Sequence, residues 1–276
     1  MARSLYMRFP GGVSKTLTLS YDDGVRQDIR LMEILDKNGI KCTFNLNSGI
    51  YTPEGTVNTN RMPRSQITAA YTNSGHEVAV HAYDHPYLEQ LPTGSVAYEI
   101  IKDRETLEEQ FGTIVRGMAY PYGTYSNEVV DTLRLCGIVY ARTIISTEKF
   151  DMPTDWLRLP TTCHHKNPRL MELAKRFAEL RADRAPQMFY LWGHSYEFDN
   201  DNNWNVIEEF AEYIGGREDI WYATNIEIYE YEQAYKQLIF SVDYNTVKNP
   251  TAYTLWFAIE KTVYSIAPGE TLRLCD

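Results

Sequence analysis

The chain has 276 residues, 43% of them hydrophobic, and carries a formal net charge of -10. That length accommodates one large α/β domain, or one domain with a small appendage, and buries a sizeable core without covalent staples. The acidic balance excludes a nucleic-acid surface, and no stretch approaches the ~20 apolar residues of a membrane span.

From the N-terminus, "MARSLYMRFPGGVSK" lacks the apolar h-region of a signal peptide, so a cytoplasmic address is expected unless a leader has been removed. "TLTLS" (16–20) is a β-rich run that stops at Asp22-Asp23-Gly24. "RQDIRLMEILDKNG" places Ile29, Met32 and Leu35 at helical spacing and ends at Gly39. "KCTFNLN" (41–47) reads as a strand, 48–63 as a loop and "SQITAAYTNSG" as a short helix. "HEVAVH" (76–81) is a strand with a polar end, and 92–111 is a helix with a charged outer face. "IVRGMAY", the helix "SNEVVDTLRLCG" and the strand "IVYARTI" follow. "NPRLMELAKRFAEL" is a helix with Asn167 as N-cap, Pro168 in its first turn, and Leu170, Leu173, Ala174 and Phe177 on one face. "QMFYLWGH" is a strand, 203–214 a helix, "DIWYAT" a strand and 226–238 a helix.

Six or seven β-then-α units imply a parallel sheet wrapped by helices, open or closed into a barrel. No GxGxxG is present, which disfavours a dinucleotide-binding fold. From about residue 239, "LIFSVDYNTV", "TAYTLWFAIE", "KTVYSIA" and "ETLRL" are short alternating segments split by turns. The expected division is therefore a barrel domain over 1–238 and a small antiparallel β appendage over 239–276. The four cysteines, Cys42, Cys136, Cys163 and Cys275, are far apart, form no CxxC, and read as reduced core or loop thiols.

In parallel α/β folds the chemistry sits at the C-terminal strand ends. Those ends carry Asp22-Asp23-Gly24, His81 with His85, Tyr120-Pro121-Tyr122-Gly123, Arg142 and Gly193-His194. In "HAYDH" the four-residue spacing puts two imidazoles on one side of a helix or tight turn, as a divalent metal needs. An aspartate of the adjacent pair supplies a third ligand. Its neighbour stays ionised beside the cation and can take a proton from water. An Asp-Asp-Gly turn and two exposed histidines are the plain alternatives, and the co-occurrence at strand ends favours the metal.

The ordered motifs "SYDDG", "HAYDH", "AYPYG", "TDWLRLP" and "LWGH", over about residues 15 to 195, resemble those of the polysaccharide deacetylases, carbohydrate esterase family 4, with the NodB-homology fold. The resemblance implies a distorted (β/α) barrel of about seven parallel strands. It implies hydrolysis of an N-acetyl group from a saccharide, with acetate released by direct attack of metal-bound water. Asp23, His81 and His85 would hold the metal, Zn²⁺ first, with Co²⁺, Ni²⁺, Mn²⁺ or Fe²⁺ as alternatives. Asp22 would be general base, His194 general acid oriented by Asp155, and the Tyr122 backbone N–H an oxyanion donor. Trp156, Tyr120 and Trp192 would line the substrate groove. The implied partner is an acetylated oligosaccharide or sugar conjugate. An O-acetyl esterase or non-sugar amidase shares this machinery, and a non-catalytic carbohydrate-binding relative is a further alternative.

Three positions depart from the family pattern. Ala119 stands where the family has the arginine that pairs with the base, and Arg142 is preferred over Arg158 as its replacement. Ala82 replaces a small hydroxyl residue that braces the histidine loop, and Trp192 a leucine. The segment Cys163-His164-His165 is expected at the cleft rim rather than at a second metal, and Tyr196 and Glu197 in a loop that touches sugar or is plainly structural.

Overall fold

The computed structural model describes residues 4–57, 60–181 and 183–274. Its centre is Lys15–Asp22 (β2), wholly buried, because alternate residues serve two different surroundings. Leu17, Leu19 and Tyr21 enter a core shared with the surrounding helices. The intervening Thr16, Thr18, Ser20 and Asp22 are buried too, on the other face.

Before β2 comes Leu5–Arg8 (β1). After it the chain alternates: Gln27–Lys37 (α1), Cys42–Leu46 (β3), Arg64–Tyr71 (α2), Glu77–Val80 (β4), Thr93–Phe111 (α3), Gly117–Ala119 (β5), Asn127–Leu135 (α4) and Tyr140–Ser146 (β6). Leu159–Thr161 (β7) and Cys163–His164 (β8) follow, then Leu170–Glu179 (α5), Gln187–Gly193 (β9), Tyr196–Asn200 (α6), Asn205–Ile214 (α7), Ile220–Tyr222 (β10) and Asn225–Tyr235 (α8). The ladder runs β7-β6-β5-β4-β3-β2-β9-β8, all parallel. Only Thr162 separates β7 from β8, and its N–H donates to Tyr190 O at 2.9 Å. Residues 159–164 thus pair with β6 on one side and β9 on the other, closing the sheet into a barrel of seven parallel staves. β10 pairs with Lys15–Leu17 on β2, below the stretch that pairs with β3.

The helices cover the outside. α1 buries Leu31, Met32 and Leu35, but Ile29, expected on that face, is exposed. Its place is taken by Asp28, which accepts hydrogen bonds from Ser195 Oγ at 2.5 Å, Tyr71 Oη at 2.5 Å and Val25 N at 3.1 Å. Ile29 lies ~100° further round the helix and so faces outward. Asn167 does not cap α5, which begins three residues later. Its Oδ1 instead accepts from Arg169 N at 2.8 Å in a turn that contains Pro168. α8 opens with a capping box of Thr224 and Glu227 and meets the inner face of the sheet, where Thr18 Oγ1 donates to Asn225 Oδ1 at 2.9 Å.

Beyond α8 lie Ile239–Phe240 (β11), Thr246–Lys248 (β12), Leu255–Ile259 (β13), Thr262–Ile266 (β14) and Thr271–Arg273 (β15). They form two antiparallel three-stranded sheets, β11-β12-β15 and β1-β13-β14. The N-terminal strand, which the sequence pattern did not reveal, joins the second of these through Leu5↔Ile259 to Arg8↔Trp256. Cys42, Cys136 and Cys163 are buried free thiols, and Cys275 lies outside the described residues. No helix among the described residues is long and apolar enough to cross a membrane.

Burial pushes the Asp28 carboxyl from its ordinary 3.8 up to about 7, against the hydrogen bonds it accepts. The folded protein therefore keeps a proton there that the unfolded chain releases as pH rises above about 4. Stability from this group is present at low pH and lost as pH rises through about 7. Denaturant unfolding across this range is expected to show stability falling with pH. Asp28→Asn should reduce that slope by up to ~1.4 kcal/mol per pH unit, while lowering stability at acid pH.

Candidate metal and catalytic centre

At the C-terminal mouth of the barrel the chain leaves its strands through strained turns. Asp23, Ala82, His85 and Tyr122 all have positive φ, at 84°, 62°, 56° and 57°. Such backbone is costly for residues other than glycine and persists only where neighbours hold it. Here Asn47 Nδ2 donates to the carbonyls of His81 and Ala82, at 2.5 and 2.9 Å. Asp103 Oδ2 accepts from His81 N at 3.1 Å, and Glu99 Oε2 from Asp84 N at 2.8 Å. The brace expected of a hydroxyl at position 82 is supplied by these three side chains.

The result is a converging donor set. His81 Nδ1 lies 2.8 Å from Ala119 O, and a carbonyl only accepts, so Nδ1 carries the proton and Nε2 presents a lone pair. His85 Nε2 sits 3.2 Å from that Nε2, and Asp23 Oδ1 is 3.9 Å from His85 Nε2. One ligand atom from each of Asp23, His81 and His85 falls within 4.8 Å of the others. Burial first, and the adjacent His81 second, lower His85 to about 4, so its imidazole is neutral. Two imidazoles and a carboxylate aimed at one point fit a divalent cation.

Asp22 turns to the barrel interior instead. Arg142 Nη2 donates to its Oδ2, and Asn45 Nδ2 to its Oδ1 at 2.8 Å. His81 Nε2 and His194 Nε2 each stand 3.9 Å from Oδ2. Burial alone would raise this carboxyl, but Arg142, then His81 and His194, pull it down to about 2. Arg142, 1% exposed, reaches Asp22 because it is the lateral partner of Ala119 on the next stave. Its Nε donates to Ser20 Oγ at 3.2 Å and its guanidinium lies 4.5 Å from the Trp192 ring centroid. Arg158 does not reach in; its Nη1 donates to Asp155 Oδ2 at 2.6 Å.

Four other sequence expectations are redirected. Asp155 caps Leu157 N at 2.9 Å and pairs with Arg158, while the carboxylate on His194 is Glu197, with Oε2 3.2 Å from Nδ1. Trp156 is buried against α8, donating from Nε1 to Glu232 Oε2 at 2.8 Å, rather than lining a groove. Tyr120 is likewise buried, its hydroxyl donating to Leu157 O at 2.7 Å. Trp192 is 9% exposed and covers Arg142, with no partner for its Nε1 among the described residues. Exposed rings at the mouth are Tyr122 and Tyr87, stacked with centroids 3.8 Å apart, and Tyr122 is set edge-on to His85 at 4.6 Å. Tyr87 escaped the sequence analysis because a lone tyrosine after "HAYDHP" carries no pattern of its own.

The end of β8 and the residues that follow it also enter the site. His164 Nε2 and His165 Nε2 lie 3.1 and 3.4 Å from Glu197 Oε2, and Lys166 Nζ is 3.0 Å from Oε1. His165 is buried between Tyr21 and Phe198, with ring centroids at 5.8 and 4.2 Å. A Cβ on Gly193 would come 2.0 Å from its Nδ1, so only glycine fits before His194. Burial would raise Glu197, but hydrogen bonds from His164, His194 and Lys166 hold it far below the usual carboxylate range.

Residues 11–141 match the family model described as polysaccharide deacetylase. The chain is 26% identical over 125 residues to the peptidoglycan-N-acetylglucosamine deacetylase PgdA of Listeria monocytogenes, covering 44% of this chain and 24% of that protein. It is 30% identical over 127 residues to a probable peptidoglycan-N-acetylglucosamine deacetylase of Arthroderma benhamiae, covering 44% and 26%. The match thus spans about a quarter of these relatives' own length. The fold is shared with a putative polysaccharide deacetylase from Mycobacterium smegmatis, at 17% identity and a TM-score of 0.59 over 83% of this chain and 93% of that one. In its matched segment and its ordered motifs the chain is similar to the polysaccharide deacetylases, and it shares their barrel fold.

Proposed function

We propose that this chain is a metal-dependent deacetylase that hydrolyses an N-acetyl group on a saccharide, with N-acetylglucosamine units as the first substrates to test. The observation that carries the reading is the meeting of Asp23, His81 and His85 beside an ionised Asp22 that is also 3.9 Å from His194. A divalent cation held by those three residues, zinc by preference, would supply Lewis-acid polarisation and lower the pKa of a water.

The remaining chemistry belongs to the chain. Asp22, ionised and fixed by Arg142 and Asn45, takes the proton of the attacking water. Arg142 is too occupied to contact substrate and serves to hold that carboxylate. The Tyr122 backbone N–H is assigned to the developing oxyanion. His194 delivers a proton from Nε2 to the departing amine; burial disfavours its charged form, but the Glu197 hydrogen bond and the Asp22 and Asp23 carboxylates raise its pKa overall. The Tyr87–Tyr122 stack offers a flat face for a sugar ring beside the metal ligands.

Acetate release from chitooligosaccharides should vanish after chelation and return with added zinc; release that survives thorough metal removal rules out the mechanism. Acetylated xylan assayed alongside separates N- from O-deacetylation. Asp22→Asn should keep the metal, measured by elemental analysis, while kcat falls by roughly 10²–10⁴. Arg142→Ala leaves Asp22 buried without its cation. It is expected to cost ~3–5 kcal/mol in denaturant unfolding, with turnover lost in parallel; an unchanged unfolding midpoint would contradict the buried pair.

A further inference from the structure

The Glu197 cluster has no part in the metal triad, yet it touches His194. Oε2 of Glu197 faces His194 Nδ1 at 3.2 Å, His194 N at 3.2 Å, His164 Nε2 at 3.1 Å and His165 Nε2 at 3.4 Å, while Lys166 Nζ holds Oε1 at 3.0 Å. Two uses of such a cluster compete: a second cation site, or a clamp on a carboxylate.

The hydrogen-bond pattern separates them. His164 Nδ1 accepts from Lys166 N at 3.1 Å. A neutral imidazole that accepts at Nδ1 carries its proton on Nε2. That Nε2 is therefore a donor to Glu197 and has no lone pair for a metal. Lys166 already places a positive charge on the same carboxylate. His165 is fixed by its rings and by the absence of a side chain at Gly193. The cluster thus holds one carboxylate in one place.

We propose that Glu197 is the positioning residue of His194, and that His164 and Lys166 clamp Glu197 in that role. A carboxylate only accepts, so Glu197 fixes the proton on His194 Nδ1 and turns Nε2 toward Asp22 and the reacting groups. During turnover the proton moves from Nε2 to the leaving nitrogen, whose bond to the acetyl carbon breaks; Glu197 stays a carboxylate and gains no proton. The role expected for Asp155 has moved to α6, because Asp155 is taken up by Arg158 and Leu157 N. This inference rests on His194 being the general acid.

The test compares zinc-loaded wild type, Glu197→Gln, Glu197→Asp, His194→Ala and the His194→Ala/Glu197→Gln double variant on two substrates. One is a chitooligosaccharide, whose amine must be protonated to leave; the other is nitrophenyl acetate, whose phenolate leaves unaided. Glu197→Gln should lose roughly 10²-fold in kcat on the oligosaccharide with KM little changed, and at least about tenfold less than that on the aryl ester. Glu197→Asp should recover part of the loss, and the double variant should match His194→Ala within about threefold, since residues acting as a unit are non-additive. Equal losses on both substrates, or multiplying losses in the double variant, would overturn the proposal. So would a second equivalent of zinc in the wild type that Glu197→Gln removes. A wild type inactive on the oligosaccharide would strike the deacetylase reading itself. In that case, ¹⁵N spectra of the histidine rings still decide the positioning, since His194 must be protonated at Nδ1 in the wild type and lose that preference in Glu197→Gln.

Discussion

The site is organised around one buried ion pair, Arg142 on Asp22, inside a barrel whose inner face is polar. Removing a carboxylate and a guanidinium from water costs several kcal/mol per ion unless attraction and hydrogen bonds offset it. Here every element near the pair contributes to that offset. Ser20 accepts from Arg142, Asn45 donates to Asp22, and the Trp192 ring covers the guanidinium. These residues come from four different staves, so the pair exists only when the barrel is closed. An ionised Asp22 can then stand beside imidazoles that present lone pairs without becoming a ligand competitor or taking up a proton of its own.

The same closed barrel explains where strain is placed. Among the described residues, nine that are not glycine have positive φ, and four of them, Asp23, Ala82, His85 and Tyr122, sit at this mouth. At Asp23, His85 and Tyr122 the turn aims a side chain that an ordinary strand ending would point elsewhere, and at Ala82 it turns the chain between the two histidines. The cost is met by Asn47, Glu99 and Asp103, buried polar side chains that take no part in the chemistry but hold the loops. At the far side of the mouth, Asp28 ties Ser195, next to His194, to α1 and α2. The Asp23-His81-His85 side and the His194 side are thus fastened separately to the helical shell and meet at Asp22.

Much of this was legible in the amino-acid order. Alternation in "TLTLSYD" and helical spacing in "NEVVDTLRL" are local, and local patterns survive in the fold because burial of one face rewards them directly. The meeting of Asp23, His81 and His85 was legible for a similar reason, since strand ends in a parallel sheet must gather at one mouth. What escaped was either short or non-local. The strand Leu5–Arg8 is defined by a partner some 250 residues away. β7 and β8 are too brief to show a period, although they close the barrel. The face of α1 was misread at Ile29 because a buried aspartate, not an apolar residue, sets its rotation.

By itself the sequence determined the alternating architecture, the residue types at each strand end, and the set Asp23, His81 and His85, because chain order and strand direction are enough to bring these together. Only the tertiary structure decided which charged groups pair. Arg142 serves Asp22 because lateral register sets it beside Ala119, and Asp155 is drawn away by its near neighbour Arg158. Glu197 meets His194 because a helix of five residues turns it back over the strand end. Pairings of this kind depend on distances of a few ångströms between segments far apart in the chain, and no periodicity records them.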